Sequence, residues 1–425
     1  MTPSSDPFAS PLHLDSLAVH AGRDDLAALG VHAPPLDLSS TSPLPDVESG
    51  GASYEAMATG HHPLAEGGHV YQRLWNPTVA RFEAALARLE GTAEAVGFAS
   101  GMAALTATVL ACTTDPELTG GAPKRHVLAV RPLYGGSDHL LASGLLGTEV
   151  TYCRAEEVAQ RLRPDTALVV VETPANPTLD LVDVAALCAA AGGVPVVVDN
   201  TFATPVLQNP AALGADLVLH SATKYLGGHG DVVGGVVACS ERFAAALRRV
   251  RAVTGGLLHP LAAYLLHRGL PTLPVRVRTQ QAGAQHVAAW LAAHPAVARV
   301  HYPGLDDPDG LVGAQMRGPG AVLAVELRGG YEAASTLVRS VRLLTHAVSL
   351  GGVDSLLQHP AALTHRPVAA EAKPCDALVR LSIGLEDPDD LVADLDRALC
   401  AAAATPAGSL GRPTGPARTA EPVGA

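Results

Sequence analysis

Lysine is rare in this chain, and its three occurrences lie in different contexts. Lys124 and Lys373 stand beside prolines in the polar segments GGAPKRH and EAKPC, where a solvated surface charge is expected. Lys224 follows the strand-like segment ADLVLHSAT and precedes YLGGHGD, so it lies where a buried strand meets a glycine-rich turn. An amine in that position is a candidate for covalent chemistry with a carbonyl group.

Other polar side chains follow neighbouring aliphatic runs. Asp199 ends VPVVVD, and Glu172 ends ALVVVE. Tyr134 lies in RPLYGGS, directly after HVLAV. Ligands of doubly wound sheets bind beyond the carboxyl ends of the strands, so we expect these side chains and Lys224 at one edge. The glycine-led helix start at Ser100-Gly101-Met102 adds backbone N–H groups that suit an anion.

A phosphorylated pyridine aldehyde requires this set of groups. The amine condenses with the aldehyde, the carboxylate keeps the ring nitrogen protonated, the aromatic ring stacks, and the helix start and hydroxyls hold the phosphate. Each residue also has a plainer explanation: Asp199 could cap a loop, Tyr134 could be packing at the rim, and Ser100-Gly101 could only begin a helix. The combination predicts pyridoxal 5'-phosphate (PLP) as cofactor.

The segments that carry these residues predict an α/β domain with a mainly parallel sheet. The predicted strands are HVLAV (126–130), ALVVVE (167–172), VPVVVD (194–199), DLVLH (216–220) and VVGGVVAC (232–239). They lack polar alternation and are separated by helical stretches, as in a sheet covered on both faces. One helix is predicted from the capping residue Asn76 to Gly91, and a second from Ser100 through Leu110.

Composition divides the chain into four parts. Residues 1–70 are rich in Pro, Ser, Gly and His without sustained periodicity, which predicts an N-terminal arm. Residues 71–271 form the predicted α/β domain, and 272–402, with longer amphipathic helices and strands at AVLAVEL and ALVRLSI, a smaller C-terminal α+β domain. The segment 403–425 is Pro-, Gly- and Ala-rich, which predicts a disordered tail.

Composition also excludes several classes of function. The net charge is -12, with 29 basic and 41 acidic residues, so nothing favours nucleic acid or an anionic membrane over a small-molecule partner. No apolar run approaches the roughly 20 residues that span a bilayer, and MTPSSDPFAS lacks signal-peptide features, so we expect a cytoplasmic protein. The six cysteines and eighteen histidines form no zinc motif, and we expect no metal.

Long motifs resemble the Cys/Met-metabolism PLP enzymes, which include cystathionine gamma-synthase, cystathionine gamma-lyase, methionine gamma-lyase and O-acetylhomoserine sulfhydrylase. The resemblance covers roughly residues 14–402. Its motifs are YQRLWNPT (71–78), FASGMAAL (98–105), LYGGS (133–137), ETPANPT (172–178), VVDNTFATPVLQNPAALGADLVLHSATKYLGGHGDVVGG (197–235), SLGGVDSLLQHPAALTH (349–365) and VRLSIGLED (379–387). The resemblance implies a PLP-dependent transferase-like large domain (fold type I) with a seven-stranded-type sheet.

The resemblance also implies a role for each matching residue. Lys224 would form the Schiff base with PLP and, once freed, move the alpha and beta protons. Asp199 would pair with the pyridine nitrogen, while Tyr134 would stack on the ring and assist departure of the gamma substituent. The other implied cofactor contacts are Gly101, Met102, Ser221 and Thr223 for the phosphate, and Asn176 for the ring oxygen.

Further implied roles concern the substrate and a second subunit. Arg380 would clamp the substrate carboxylate as a bidentate fork, with help from Ser349. Tyr71 and Arg73 would reach the phosphate of a neighbouring subunit, and the resemblance therefore implies a homotetramer built from catalytic dimers. The presence of Lys224, Asp199, Tyr134 and Arg380 argues against a non-catalytic scaffold.

Position 348 bears on the choice of reaction. Family members that handle cystathionine usually carry Glu there, whereas this chain has Val348, like methionine gamma-lyases and O-acetylhomoserine sulfhydrylases. Gly136 and Arg251-Ala252, where methionine gamma-lyases have Cys and Lys-Asp, weaken that match. We predict gamma-elimination on methionine, homocysteine or cystathionine, giving 2-oxobutanoate, ammonia and a thiol. The alternative is gamma-replacement on O-acetyl- or O-succinylhomoserine, including a role in secondary metabolism.

Overall fold

A seven-stranded sheet forms the centre of the larger part of the protein. The computed structural model describes residues 12–366, 368–369 and 373–403. The strands are β1 (Glu94–Phe98), β2 (His126–Val130), β3 (Glu149–Cys153), β4 (Thr166–Glu172), β5 (Val196–Asp199), β6 (Leu217–His220) and β7 (Gly235–Cys239), in the order β1-β7-β6-β5-β4-β2-β3. β7 is antiparallel to both neighbours and the other pairs are parallel. The predicted mainly parallel α/β sheet is confirmed.

A second sheet lies in the C-terminal part of the chain. It contains β8 (Val297–His301), β9 (Val322–Leu327), β10 (Thr345–His346), β11 (Leu356–Gln358) and β12 (Leu378–Ser382), in the order β10-β11-β12-β9-β8. The mixture of helices and largely antiparallel strands is the predicted α+β pattern. We propose domain boundaries at 71–271 and 272–402, supported by the change of sheet between β7 and β8.

Helices surround both sheets. They are Leu14–His20, Val47–Ala58, Pro77–Glu90, Gly101–Thr114, Pro116–Thr119, Gly135–Ala142, Val158–Arg161, Val184–Ala190, Thr204–Leu207, Glu241–Thr254, Pro260–Gly269, Leu273–Ala293, Leu311–Ala314, Gly330–Ser340 and Pro388–Ala403. None of the helices in the described part of the chain combines the length and apolar character that crossing a lipid bilayer requires.

The two helices predicted from capping residues begin where expected. Asn76 accepts hydrogen bonds from the backbone N–H groups of Thr78 (2.9 Å) and Val79 (3.2 Å), and Gly91 ends that helix with a φ of 72°. Ser100 caps the second helix by accepting from Ala103 N at 3.1 Å. That helix continues to Thr114, beyond the predicted end, because its apolar face keeps packing on the sheet.

Other segments differ from the sequence-based expectation. Residues 1–70, expected to be an arm, include the helix Val47–Ala58, capped by Asp46, which accepts from Ser49 N at 2.7 Å. The run 232–239 forms a strand only from Gly235, where the backbone passes so close to Ser100 that a Cβ would lie 2.1 Å from Ser100 O. The predicted tail 403–425 lies outside the described residues, apart from Ala403, which ends the last helix.

Candidate active site

A cavity of about 360 Å³ opens at the carboxyl edge of the large sheet. It lies where β4, β5 and β6 end, so its position follows from the parallel arrangement of these strands. All predicted site residues other than Tyr71 and Arg73 line it: Gly101, Met102, Tyr134, Asn176, Asp199, Ser221, Thr223, Lys224, Val348, Ser349 and Arg380. Residues from both sheets therefore meet in one place.

Lys224 lies in the turn after β6, with its amine inside the cavity. Its Nζ donates a hydrogen bond to Ser349 Oγ at 2.6 Å. Burial, and then the charge of Arg380, lower the pKa of Lys224 to about 8. A substantial fraction of the amine is therefore neutral near physiological pH, which is the form that attacks a carbonyl carbon.

Ser349 contacts Lys224 from a strained backbone conformation. Its φ is 100°, a region that favours glycine and costs a serine on the order of 1–3 kcal/mol. This conformation turns the Ser349 carbonyl towards Arg380 NH2, at 2.6 Å, while the hydroxyl faces Lys224. The strained backbone at Ser349 thus lets one residue bind Lys224 through its hydroxyl and Arg380 through its carbonyl.

Two carboxyl groups lie side by side at the floor of the cavity. Glu172 and Asp199 are paired in the register of β4 and β5. Burial raises the pKa of Asp199, and burial followed by the charge of Asp199 raises the pKa of Glu172 to about 8. Thr201 donates to Asp199 Oδ1 through its hydroxyl (2.5 Å) and its N–H (3.0 Å). A cation in the cavity beside Asp199 would therefore favour the ionised form of Asp199.

Glu172 positions two other site residues, a role that the sequence did not indicate. Its Oε2 accepts from Tyr134 N at 2.7 Å, and its Oε1 accepts from Asn176 N at 2.8 Å. The side chain thus fixes the loop after β2 and the turn after β4 together. The sequence offered one indication that Glu172 belongs to the site: like Asp199, it ends an aliphatic run.

The loop that carries Tyr134 is held at several points. Arg131 and Asp138 bridge the loop with a 2.7 Å ion pair. Gly135 is required by close packing, since a Cβ there would lie 2.3 Å from Thr364 O. A Cβ on Gly136 would lie 2.5 Å from Cε1 of Tyr134, so the glycine lets the phenol ring rest against this turn. Tyr134 is 38% exposed and lines the cavity.

The start of the helix Gly101–Thr114 forms one wall of the cavity. The first N–H groups of a helix have no carbonyl partner within it, and those of Gly101 and Met102 belong to this set. Gly101 lies so close to Ser221 that a Cβ would be 2.9 Å from Ser221 Cβ. Thr223 Oγ1 accepts from Gly234 N at 3.1 Å and donates to Gly234 O at 3.2 Å, which fixes the hydroxyl beside the cavity. This wall suits an anionic group.

Arg380 reaches the cavity from β12 of the second sheet. Its NH1 donates to Asn176 Oδ1 at 3.0 Å, and its NH2 donates to Ser349 O. Burial lowers the pKa of Arg380 to about 10, so the guanidinium keeps its charge near neutral pH. A buried, oriented cation of this kind can receive a carboxylate.

Tyr71 and Arg73 lie away from the cavity of their own chain. Arg73 NH1 donates to Ala252 O at 2.5 Å, and its guanidinium lies 5.5 Å from the centroid of the Tyr71 ring. Tyr71 is 43% exposed. The structure of one chain therefore does not bring these two residues together with Lys224.

A match to a protein-family model shows which family the chain belongs to. The model for the Cys/Met metabolism PLP-dependent enzymes matches residues 15–400. The chain belongs to this family. PLP is therefore its cofactor, and the cavity fits that group: it offers a partly neutral lysine, a carboxylate open to a cation and a helix start. Within the described residues, no group of three or more His, Cys, Asp or Glu side chains is placed to hold a metal ion.

Individual proteins of the Cys/Met metabolism family are similar over nearly the whole chain. An L-methionine gamma-lyase of Brevibacterium sandarakinum is 60% identical over 92% of this chain and 99% of its own length. The solved structure of apo CalE6, a methionine gamma lyase from Micromonospora echinospora, has a TM-score of 0.78 and 39% identity, covering 92% of this chain and 99% of that one. The cystathionine gamma synthase of Xanthomonas oryzae pv. oryzae, with cystathionine bound, has a TM-score of 0.82 and 36% identity, covering 93% and 100%.

Proposed function

We propose that this enzyme is a PLP-dependent carbon–sulfur lyase that converts L-methionine to 2-oxobutanoate, ammonia and methanethiol by gamma-elimination. The observation that carries the proposal is the union of Lys224, Asp199 and Arg380 in one cavity whose outer part presents Val348. The 60% identity to an L-methionine gamma-lyase supports the same reaction.

The cofactor residues divide the work between them. PLP supplies an electrophilic aldehyde and a ring that accepts electrons when its nitrogen is protonated. We propose that Lys224 holds the aldehyde carbon, that Asp199 faces the ring nitrogen, and that Tyr134 stacks on the ring. For the phosphate we propose the N–H groups of Gly101 and Met102 with the hydroxyls of Ser221 and Thr223, and for the ring oxygen the amide of Asn176.

Proton transfer is the task of Lys224 and Tyr134. With the substrate amine in place of Lys224 at the cofactor, the free Nζ would take the alpha proton, give it up, and only then take a beta proton. Its pKa of about 8 suits both accepting and returning a proton near neutral pH. Tyr134, which also lines the cavity, would donate a proton to the departing sulfur.

Substrate selection depends on the two ends of the amino acid. Arg380, with Ser349, receives the alpha-carboxylate, while Val348 at 53% exposure faces the distal group. The carboxylates that line the cavity in the described part of the chain are Glu172 and Asp199, both at its floor. A methyl thioether needs no counter-ion at the outer end, whereas the second ammonium group of cystathionine does.

Product analysis tests the proposed reaction. With L-methionine as the sole substrate, we expect 2-oxobutanoate, ammonia and methanethiol in equal amounts, and much lower turnover of L-cystathionine. Lys224→Ala provides the blank. Product that forms only from O-acetyl- or O-succinylhomoserine, and only with an added thiol, would contradict gamma-elimination and favour the gamma-replacement alternative.

A second subunit completes the site in our proposal. We infer a homotetramer of catalytic dimers in which Tyr71 and Arg73 reach the phosphate position of the neighbouring chain. The support is their separation from the cavity of their own chain, together with the exposed apolar side chains Leu38, Leu44 and Val47 on the segment that pairs with Tyr71 through Thr41. A cytoplasmic location is also proposed, supported by six cysteines that are all free thiols.

Complementation between inactive variants tests the shared site. Lys224→Ala and Arg73→Ala should each have low activity as homo-oligomers, because one lacks the amine and the other a phosphate contact. After subunit exchange, a hybrid dimer contains one site with both defects and one intact site, so turnover should rise above that of either parent. Turnover equal to the average of the two parents, with exchange shown by mass measurement, would contradict the proposal.

A further inference from the structure

Gln358 lies directly behind the guanidinium of Arg380. It ends β11 and is paired with Arg380 of β12 in the sheet register, so the two side chains share one face. Gln358 is 0% exposed and Arg380 3% exposed. A buried amide beside a buried guanidinium is stable only if its oxygen faces the N–H groups.

The distances fix the orientation of that amide. With Oε1 turned towards Arg380, Gln358 accepts from NH2 at 3.2 Å and from NH1 at 3.3 Å, whereas the opposite orientation would set two donors against each other. Asn176 and Ser349 accept from the same two nitrogens on other sides. Gln358 therefore accepts from the NH1 and NH2 hydrogens that do not bond to Asn176 and Ser349.

Thr364 and His365 continue the chain of hydrogen bonds. The amide atom of Gln358 that faces the guanidinium lies 3.3 Å from Thr364 Oγ1, and Thr364 Oγ1 lies 3.1 Å from Nδ1 of His365. His365 is buried at 2% exposure, and burial lowers its pKa, so it is neutral near physiological pH. If the Thr364 hydroxyl donates its hydrogen to Gln358, it must accept the hydrogen of Nδ1–H of His365. All hydrogen bonds from His365 to Gln358 then point the same way.

We propose that Gln358 is a positioning residue that holds both terminal nitrogens of Arg380, with Thr364 and His365 fixing its amide. This would keep the guanidinium oriented so that its Nε–H, which has no partner among the described residues, and the NH2 hydrogen shared with Ser349 can receive the alpha-carboxylate of the substrate. This inference rests on the proposed function. Gln358 does not touch the reacting atoms, and its effect passes through Arg380. Loss of the acceptor would leave buried guanidinium hydrogens unpaired, and the fork would reorient to satisfy them.

The effect on Arg380 can be measured with two ligands that differ only in the carboxylate. L-Methionine and 3-(methylthio)propylamine, its decarboxylated counterpart, are titrated into holoenzyme while the absorbance of the bound cofactor is followed. The ratio of their apparent Kd values reports how well the fork receives the carboxylate. We expect Gln358→Leu to weaken methionine binding by about tenfold or more, the usual scale for a hydrogen bond to a charged group, and to leave the amine unaffected.

Three further variants separate positioning from general damage. Gln358→Glu keeps an acceptor for both nitrogens and should hold a ratio nearer to that of the wild type than Gln358→Leu does, while its charge, which pairs with Arg380, keeps the preference for methionine below that of the wild type. Thr364→Val removes only the hydroxyl and should shift the ratio in the same direction as Gln358→Leu, but by less. If the Gln358→Leu variant does not fold, the Thr364→Val ratio serves as the test of the positioning role. Gln280→Leu alters another fully buried glutamine, which donates to Gly352 O at 2.6 Å, and should lower Tm without changing the ratio.

Different results would contradict the positioning role of Gln358 and the proposed function of the enzyme. An unchanged ratio in Gln358→Leu and Thr364→Val, or an equal loss of affinity for both ligands, would overturn the positioning role. A wild-type protein whose spectrum responds to neither ligand would instead contradict the proposed function on which the inference rests.

Discussion

The Lys224→Ala variant is expected to lose the absorbance of lysine-bound PLP and nearly all turnover. The substitution removes the amine that, in our proposal, holds the aldehyde and moves the alpha and beta protons. Proton transfer alone accounts for roughly 10²–10⁴-fold in rate, so the combined loss in kcat should exceed that range. Absorbance spectra and 2-oxobutanoate formation measure the two effects.

The chain provides matched controls for this variant. Lys124→Ala and Lys373→Ala remove the two other lysines, which lie in connecting segments away from the cavity. Both variants should keep the absorbance band and wild-type turnover. A Lys224→Ala protein that retained both properties would refute the role assigned to that amine.

Asp199→Asn should bind PLP and yet turn over methionine roughly 10²–10³-fold more slowly, the loss typical of removing one preorganised electrostatic partner. An amide cannot stabilise a protonated ring nitrogen, so the ring becomes a poor acceptor of electrons. The same change removes the charge that helps to raise the pKa of Glu172, so that pKa should fall. Single-turnover kinetics would place the defect at alpha-proton removal.

Asp216→Asn is the appropriate comparison for Asp199→Asn. Asp216 also lies at this sheet, directly before β6, but its side chain is exposed and accepts from Val196 N at 2.9 Å, at the opposite end of β5. Its substitution should cost stability and leave kcat unchanged. Equal losses of kcat in Asp199→Asn and Asp216→Asn would contradict a specific role for Asp199, because Asp216 does not line the cavity.

Much of the fold could be predicted because buried parallel strands have a distinctive pattern. The runs that became β2, β4, β5 and β6 are continuous and aliphatic, and their carboxyl ends must meet at one edge. β3 was missed because it is an edge strand, EVTYC, with polar residues and partial exposure. β1, EAVGF, is short and contains a glycine, which weakens the signal of a strand.

The site could be predicted only in part for a related reason. Lys224 and Asp199 could be predicted because they lie at or just after the ends of strands. Arg380, on β12, and Ser349, between β10 and β11, are far from them in sequence and were found through resemblance alone. Gln358, Thr364 and His365 lie within a motif that was recognised, but their relation to Arg380 depends on the pairing of β11 with β12. Glu172 acts through backbone groups of Tyr134 and Asn176, which no side-chain pattern encodes.

Reduction of the PLP-loaded protein with borohydride, followed by peptide mapping, tests the central claim most directly. Borohydride converts a lysine–PLP Schiff base into a stable pyridoxyl-lysine, so the label records which amine holds the cofactor. We predict that the label is found on the peptide containing Lys224. A label on Lys124 or Lys373, or on no peptide at all, would contradict the account.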